Sequence, residues 1–136
     1  KGCRYAPRVI GLRAGQPIEI TNSDATLHNV HALPMANQEF NHGQGMKAAA
    51  IQRTFTVPEV MVRFKCDVHG WMNAYVGVMA HPFFAVTGAD GTFQIIGLPP
   101  GTYTLAVWHE TFGTQTQTIT VADRETKTAA FSFKPQ

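Results

Sequence analysis

The chain has 136 residues, of which 11 are basic and 9 acidic, for a formal net charge of +2; 44% are hydrophobic and 15% charged. Ample apolar material with little net charge excludes intrinsic disorder, and a charge of +2 supplies no basic patch for nucleic acid. No stretch approaches the roughly 20 apolar residues that span a bilayer, and the length suits one domain or two small ones.

The sequence opens KGCRYAPRV, without Met or a signal peptide, and its first residues read as a strand and a turn. That opening points to a processed form or a fragment, so the missing signal is no evidence for a cytoplasmic chain. Downstream, PIEIT (17–21) alternates with Ile18 and Ile20 on one face. Residues 35–53, rich in Gly, Asn, Gln and Ala, lack a strand pattern and read as a loop with a short helical turn near MKAAAI. The run VMVRFKC (60–66) alternates, with Val60, Val62, Phe64 and Cys66 on the apolar side and Met61, Arg63 and Lys65 on the other. AYVGVMA (74–80) follows as the second arm of a hairpin. Further strands are expected at FFAVT (83–87), TFQII (92–96), TYTLAVW (102–108), QTQTITV (115–121) and AAFSF (129–133). ADG (89–91), LPPG (98–101), FGT (112–114) and ADRE (122–125) supply the turns. Short strands at regular spacing predict an all-β sandwich or barrel.

Two parts are expected, 1–80 and 81–136, with net charges of +3 and −1 and a junction at His81-Pro82. Because no linker between them is rich in Gly or Ser, the two are expected to pack together.

The chemistry concentrates in TLHNVHAL (26–33) and KCDVHGWM (65–72). A thiolate, an imidazole and a thioether fall within seven residues as Cys66, His69 and Met72, which is not an ordinary disulfide context. Cys3 is then either a free buried thiol or the partner of a cysteine outside this chain. Copper bound by a thiolate favours one Cys and two His with a long axial Met. The loop supplies three such donors, and His28 or His31 supplies the other imidazole. Zinc is less suited, because structural zinc sites use Cys and His rather than thioether. His42, His81 and His109 read as surface or hydrogen-bonded structural histidines, and Met35, Met46, Met61 and Met79 as core or loop filler.

The pieces HNVH (28–31), GQGMK (43–47) and CDVHGWM (66–72) resemble the cupredoxins, the small blue copper proteins, and most of all the amicyanin family. The likeness covers roughly residues 8–80. It implies a Greek-key β-sandwich holding one type 1 copper on His28, Cys66, His69 and Met72, with Asn29 tying the two ligand segments together. It also implies a one-electron carrier in which His69 is the electron port, within an apolar docking patch whose candidates are Gly70, Trp71 and Pro34. Trp71 stands where the family commonly has Pro or Phe, and the additional strand that opens the familiar fold is expected to be partly missing before residue 17.

The stretch FAVTGADGTFQIIGLPPGTYTLAVWHE (84–110) is similar to the later half of the carboxypeptidase regulatory-like, or prealbumin-like, β-sandwich. The whole is thus expected to be a cupredoxin-like sandwich packed against a second, partial one. The function implied is exported, periplasmic electron transfer with a redox protein such as a cytochrome or a membrane electron-transfer complex. The alternative is a structural or interaction subunit of such a complex, with the copper secondary; copper storage ranks behind both. No Ser/His/Asp set, carboxylate pair or phosphate loop points to an enzyme.

Overall fold

The computed structural model describes residues 1–135. Its secondary structure among these residues is all β: β1 (Val9–Arg13), β2 (Pro17–Ile20), β3 (His28–Leu33), β4 (Phe40–Gln44), β5 (Ile51–Thr54), β6 (Glu59–Lys65), β7 (Asn73–Met79), β8 (Gly101–His109) and β9 (Gly113–Val121). The chain divides into two compact units, Lys1–Ile95 and the residues from Ile96 onward.

In the first unit, five strands pair in the order β1-β7-β6-β3-β4, and β2 pairs with β5 in a separate sheet. The edge pair β1–β7 is parallel, and the other pairs are antiparallel. The core is drawn from alternate positions of these strands: Val30 and Ala32 on β3, Val62 and Phe64 on β6, Ala74, Val76 and Val78 on β7, with Leu12 and Phe55. Ile18 and Ile20 of β2 pack against it, as their alternation predicts. Phe40, Phe55 and Phe64 cluster with ring centroids about 6 Å apart, the spacing at which aromatic rings gain beyond their buried area.

Several expectations are corrected. Strand β1 precedes Pro17 and pairs with β7, while residues 1–8 contain no strand. Residues 35–53 contain β4 and the start of β5, and no helical turn among the described residues. FNHGQ hides its strand because two of its three inward positions, His42 and Gln44, carry polar groups. Gln44, 1% exposed, points inward and donates through Nε2 to the carbonyls of Ile20 and Ala49, so a polar side chain takes a core position. Val60 is 54% exposed instead of joining the apolar side of β6. The register between β6 and β7 shifts between Glu59 and Val62, which breaks the alternation at its first step.

The runs 83–87, 92–96 and 129–133 are not strands. Two of the three runs make contacts without joining a ladder. Phe84 lies over Gly11 of β1, where a Cβ would come within 2.5 Å of the ring. Residues Ala130 and Ser132 accept side-chain hydrogen bonds from Gln117 and Gln115 of β9, in place of backbone pairing.

The second unit is built on the hairpin β8–β9, paired from Gly101↔Val121 to His109↔Gly113. Its tight reversal uses Gly113 at φ +73°, a conformation that costs glycine little. His109 Nδ1 accepts from the Thr111 N–H beside that reversal, and His81 Nδ1 accepts from the Phe83 N–H, so both are hydrogen-bonded structural histidines.

The two valines of β6 separate the observed packing from plain alternation. Val62→Ala should cost about 2 kcal/mol by loss of buried methyls and an incompletely filled gap. Val60→Ala should stay within about 0.5 kcal/mol. Urea unfolding midpoints measure both; equal losses would show that Val60 is buried after all.

Candidate metal centre

The site forms where β3 begins and β6 ends. The pair His31↔Lys65 sets the register of β3 against β6. Running that register on places Asn29 beside Asp67 and brings His28 to the loop 66–72 that joins β6 to β7. The loop closes on itself: Cys66 N–H donates to the Met72 carbonyl (3.2 Å), and Met72 N–H donates to the His69 carbonyl (2.9 Å). A His and a Met at these spacings therefore turn back toward the Cys. Cys66 and Met72 are buried, while Val68 and Trp71 are exposed.

His28, His69 and Cys66 come together. His28 Nδ1 lies 3.1 Å from His69 Nδ1, and Cys66 Sγ lies 3.8 Å from the same His69 nitrogen. The backbone N–H of His69 also donates to Cys66 Sγ at 3.4 Å. The two imidazoles meet edge to face with centroids 4.8 Å apart, and Trp71 packs against His69 at 5.2 Å. Bonds of ordinary length, about 2.0 Å to nitrogen and about 2.3 Å to thiolate, would span the two separations with angles of roughly 100° and 120° at a shared metal. The soft thiolate and thioether with two imidazoles suit copper better than magnesium or calcium. Met72 is buried in the same loop.

A carboxylate backs the site that the spacing of the motifs does not reveal. His28 Nε2 lies 2.9 Å from Asp24 Oδ2. A carboxylate only accepts, so Nε2 carries the proton and donates it to Asp24. Nδ1 is thereby left with its lone pair toward His69, the tautomer a metal ligand needs. Asp24 is held ionised, well below the usual carboxylate range, by the backbone N–H groups of Cys3 and Gly2 and then by His28. The signal was an Asp four residues before the His, inside a turn where Asn22 Oδ1 accepts from the Asp24 N–H.

Asn29 joins the two segments. Its Oδ1 accepts from the Asp67 N–H (2.6 Å), and its Nδ2 donates to Asp67 Oδ2 and Asn41 Oδ1, both at 2.8 Å. Lys65, Asn29, Asn41 and His31 all bond the Asp67 carboxylate and hold its pKa well down, Lys65 most of all. Tyr5 adds a further tie, its hydroxyl donating to the carbonyls of Asn29 (2.5 Å) and Lys65 (3.1 Å). Burial pushes the Tyr5 pKa up, so it stays a donor.

His31 lies apart from the converging nitrogens; its two ring nitrogens face Asp67 and Glu39. Pro34 also lies apart. It follows the far end of β3, six residues or about 20 Å along the strand from His28. There the Met35 and Ala36 N–H groups bond Glu59, at the opposite end of β6 from Cys66. The exposed apolar groups carried by the two ligand-bearing segments are Leu27, Val68 and Trp71. The N-terminal segment enters the site as well: side-chain donor atoms of Cys3, His28 and His69 lie within 4.8 Å of one another.

Asn29→Ala should lower stability by about 2 kcal/mol, because it removes the three hydrogen bonds of a buried side chain. Asn41→Ala, on the exposed side of the same network, should cost less than half as much. Urea midpoints of the metal-free variants decide; equal costs would remove Asn29 from its place as the tie.

Among curated proteins no sequence relative matches the chain. Residues 73–134 match the family model of the carboxypeptidase regulatory-like domain. Among solved structures, a reduced amicyanin variant is similar at 22% identity and TM-score 0.51, over 58% of this chain and 76% of that one. An oxidized amicyanin variant is similar at 21% identity and TM-score 0.52 with the same coverage. A purple cupredoxin from Nitrosopumilus maritimus is similar at 20% identity and TM-score 0.48, over 55% of this chain and 81% of that one. The chain thus combines a cupredoxin-like β fold with a carboxypeptidase regulatory-like sequence over residues 73–134.

Proposed function

We propose that the protein is a type 1 copper electron-transfer protein, with His28, Cys66, His69 and Met72 as ligands of one copper ion. The observation that carries this reading is the convergence of His28 Nδ1, His69 Nδ1 and Cys66 Sγ at 3.1 and 3.8 Å on a cupredoxin-like fold. A copper ion bound there supplies a one-electron couple. The chain's own residues do the rest. Asp24 holds the proton of His28 on Nε2, leaving Nδ1 to bind. Asn29 and Tyr5 lock the strand to the loop, so the donors stay in place when charge changes. Burial of Cys66 and Met72 keeps water from the thiolate.

His69 is half-buried beside exposed Trp71 and Val68, with Leu27 next to His28. We assign this apolar rim, together with Gly70, as the docking patch and His69 as the electron port. A small apolar rim favours brief encounters with a redox protein over a lasting complex. Export to the periplasm, and a cytochrome or a membrane redox complex as partner, belong to the same reading. Among the described residues no helix is long and apolar enough to cross a membrane.

Oxidised, copper-loaded protein should bind one copper per chain and show an intense thiolate-to-Cu(II) band in the visible. Cys66→Ser should change the position and intensity of that band, whereas Met72→Leu should keep the copper and shift the spectrum. Copper titration with visible and electron-spin-resonance spectra tests this. A band left unchanged in Cys66→Ser, or a chain that takes up no copper, overturns the reading.

A further inference from the structure

Cys3 is outside the Cys-His-His-Met set, yet the fold brings it to the same place. Its sulfur lies within 4.8 Å of donor atoms on both His28 and His69. Two hydrogen bonds fix its backbone there. The Cys3 N–H donates to Asp24 Oδ2 at 2.9 Å, the same oxygen that accepts from His28 Nε2. The Cys3 carbonyl accepts from Trp71 Nε1 at 3.0 Å, which ties it to the ligand loop. Gly2 N–H reaches the other Asp24 oxygen at 2.6 Å. One carboxylate therefore positions both a thiol and an imidazole.

The backbone of Cys3 has φ +52°, a left-handed conformation that residues with a Cβ adopt rarely. The hydrogen bonds on either side of it hold that conformation. The thiol is half-buried and forms no disulfide.

We propose that Cys3 is a second thiolate ligand of the metal centre, so that the centre has two sulfurs of Cys, two imidazoles and the Met72 thioether within reach. The inference rests on the copper reading of the site. The Cys3 thiol gives its proton to solvent when it binds, as metal-bound thiols do. Two thiolates make the donor set softer and direct it further toward Cu(I). The N-terminal segment then becomes part of the centre, and copper binding clamps residues 2–5 onto the loop 66–72.

X-ray absorption at the copper edge of the full chain loaded with Cu(I) tests this. The wild type should show two short sulfur neighbours at about 2.3 Å. Cys3→Ser should retain copper and show one. The wild-type count decides by itself if the variant fails to fold. One short sulfur in both proteins, or two in both, overturns the inference and leaves the copper reading standing. A wild-type chain that takes up no copper overturns both. Alkylation of the wild type gives a second readout. Metal should slow the reaction of Cys3 at least tenfold, and an unchanged rate rejects its ligation.

Discussion

The hydrogen bond from the Asp67 N–H to Asn29 Oδ1 is the contact on which the site depends. It spans 38 positions in sequence and fastens the first residue after Cys66 to the residue after His28. Pairing of β3 with β6 brings the two segments alongside, but a ladder ends where the loop begins. Past that end the side chain of Asn29 takes over, offering one acceptor and two donors where backbone pairing no longer can. Its burial makes those bonds costly to lose. The Asp67 carboxylate gathers Lys65, Asn29, Asn41 and His31 around the same point, so three strand ends share one anion.

A second anchor is Asp24. It faces His28 and receives the N–H groups of Gly2 and Cys3. Of the two aspartates, one fixes the tautomer of a histidine and the other fixes the entry of the loop. Both are held ionised by hydrogen bonds and neighbouring cations. This arrangement holds His28 and the start of the loop 66–72 in place through hydrogen bonds from two carboxylates. It also explains why an apolar chain of low net charge spends two of its nine acidic residues here.

The motif-bearing segments were readable because their chemistry is local. Cys66, His69 and Met72 lie on one loop, and their spacing already describes a turn that converges. Strands β6, β7, β8 and β9 were likewise legible, β6 from the alternation of Val62 and Phe64 with Arg63 and Lys65 and the others from strand-forming residues bounded by turn signals. Strand β4 was not, because Gln44 fills an inward position that an apolar residue usually marks. Residues 83–87, 92–96 and 129–133 carry strand-like composition but have no ladder partner among the described residues, and composition cannot supply one. Val60 shows the same limit on a smaller scale: one register shift reverses a face that alternation assigns with ease.

By itself the sequence determined the all-β class, the grouping of Cys66, His69 and Met72 on one loop and the presence of two kinds of β segment. Those properties follow from side-chain identity and near-neighbour spacing. Only the tertiary structure decided that His28 rather than His31 meets His69, that Asp24 and Tyr5 belong to the site, and that Cys3 stands beside the histidines. Apart from Asp24 and His28, each of these joins residues from separate segments, some more than 60 positions apart, as with Trp71 and Cys3. Their meeting depends on strand register and on which polar groups must find partners when buried. Neither is written in any short stretch of chain.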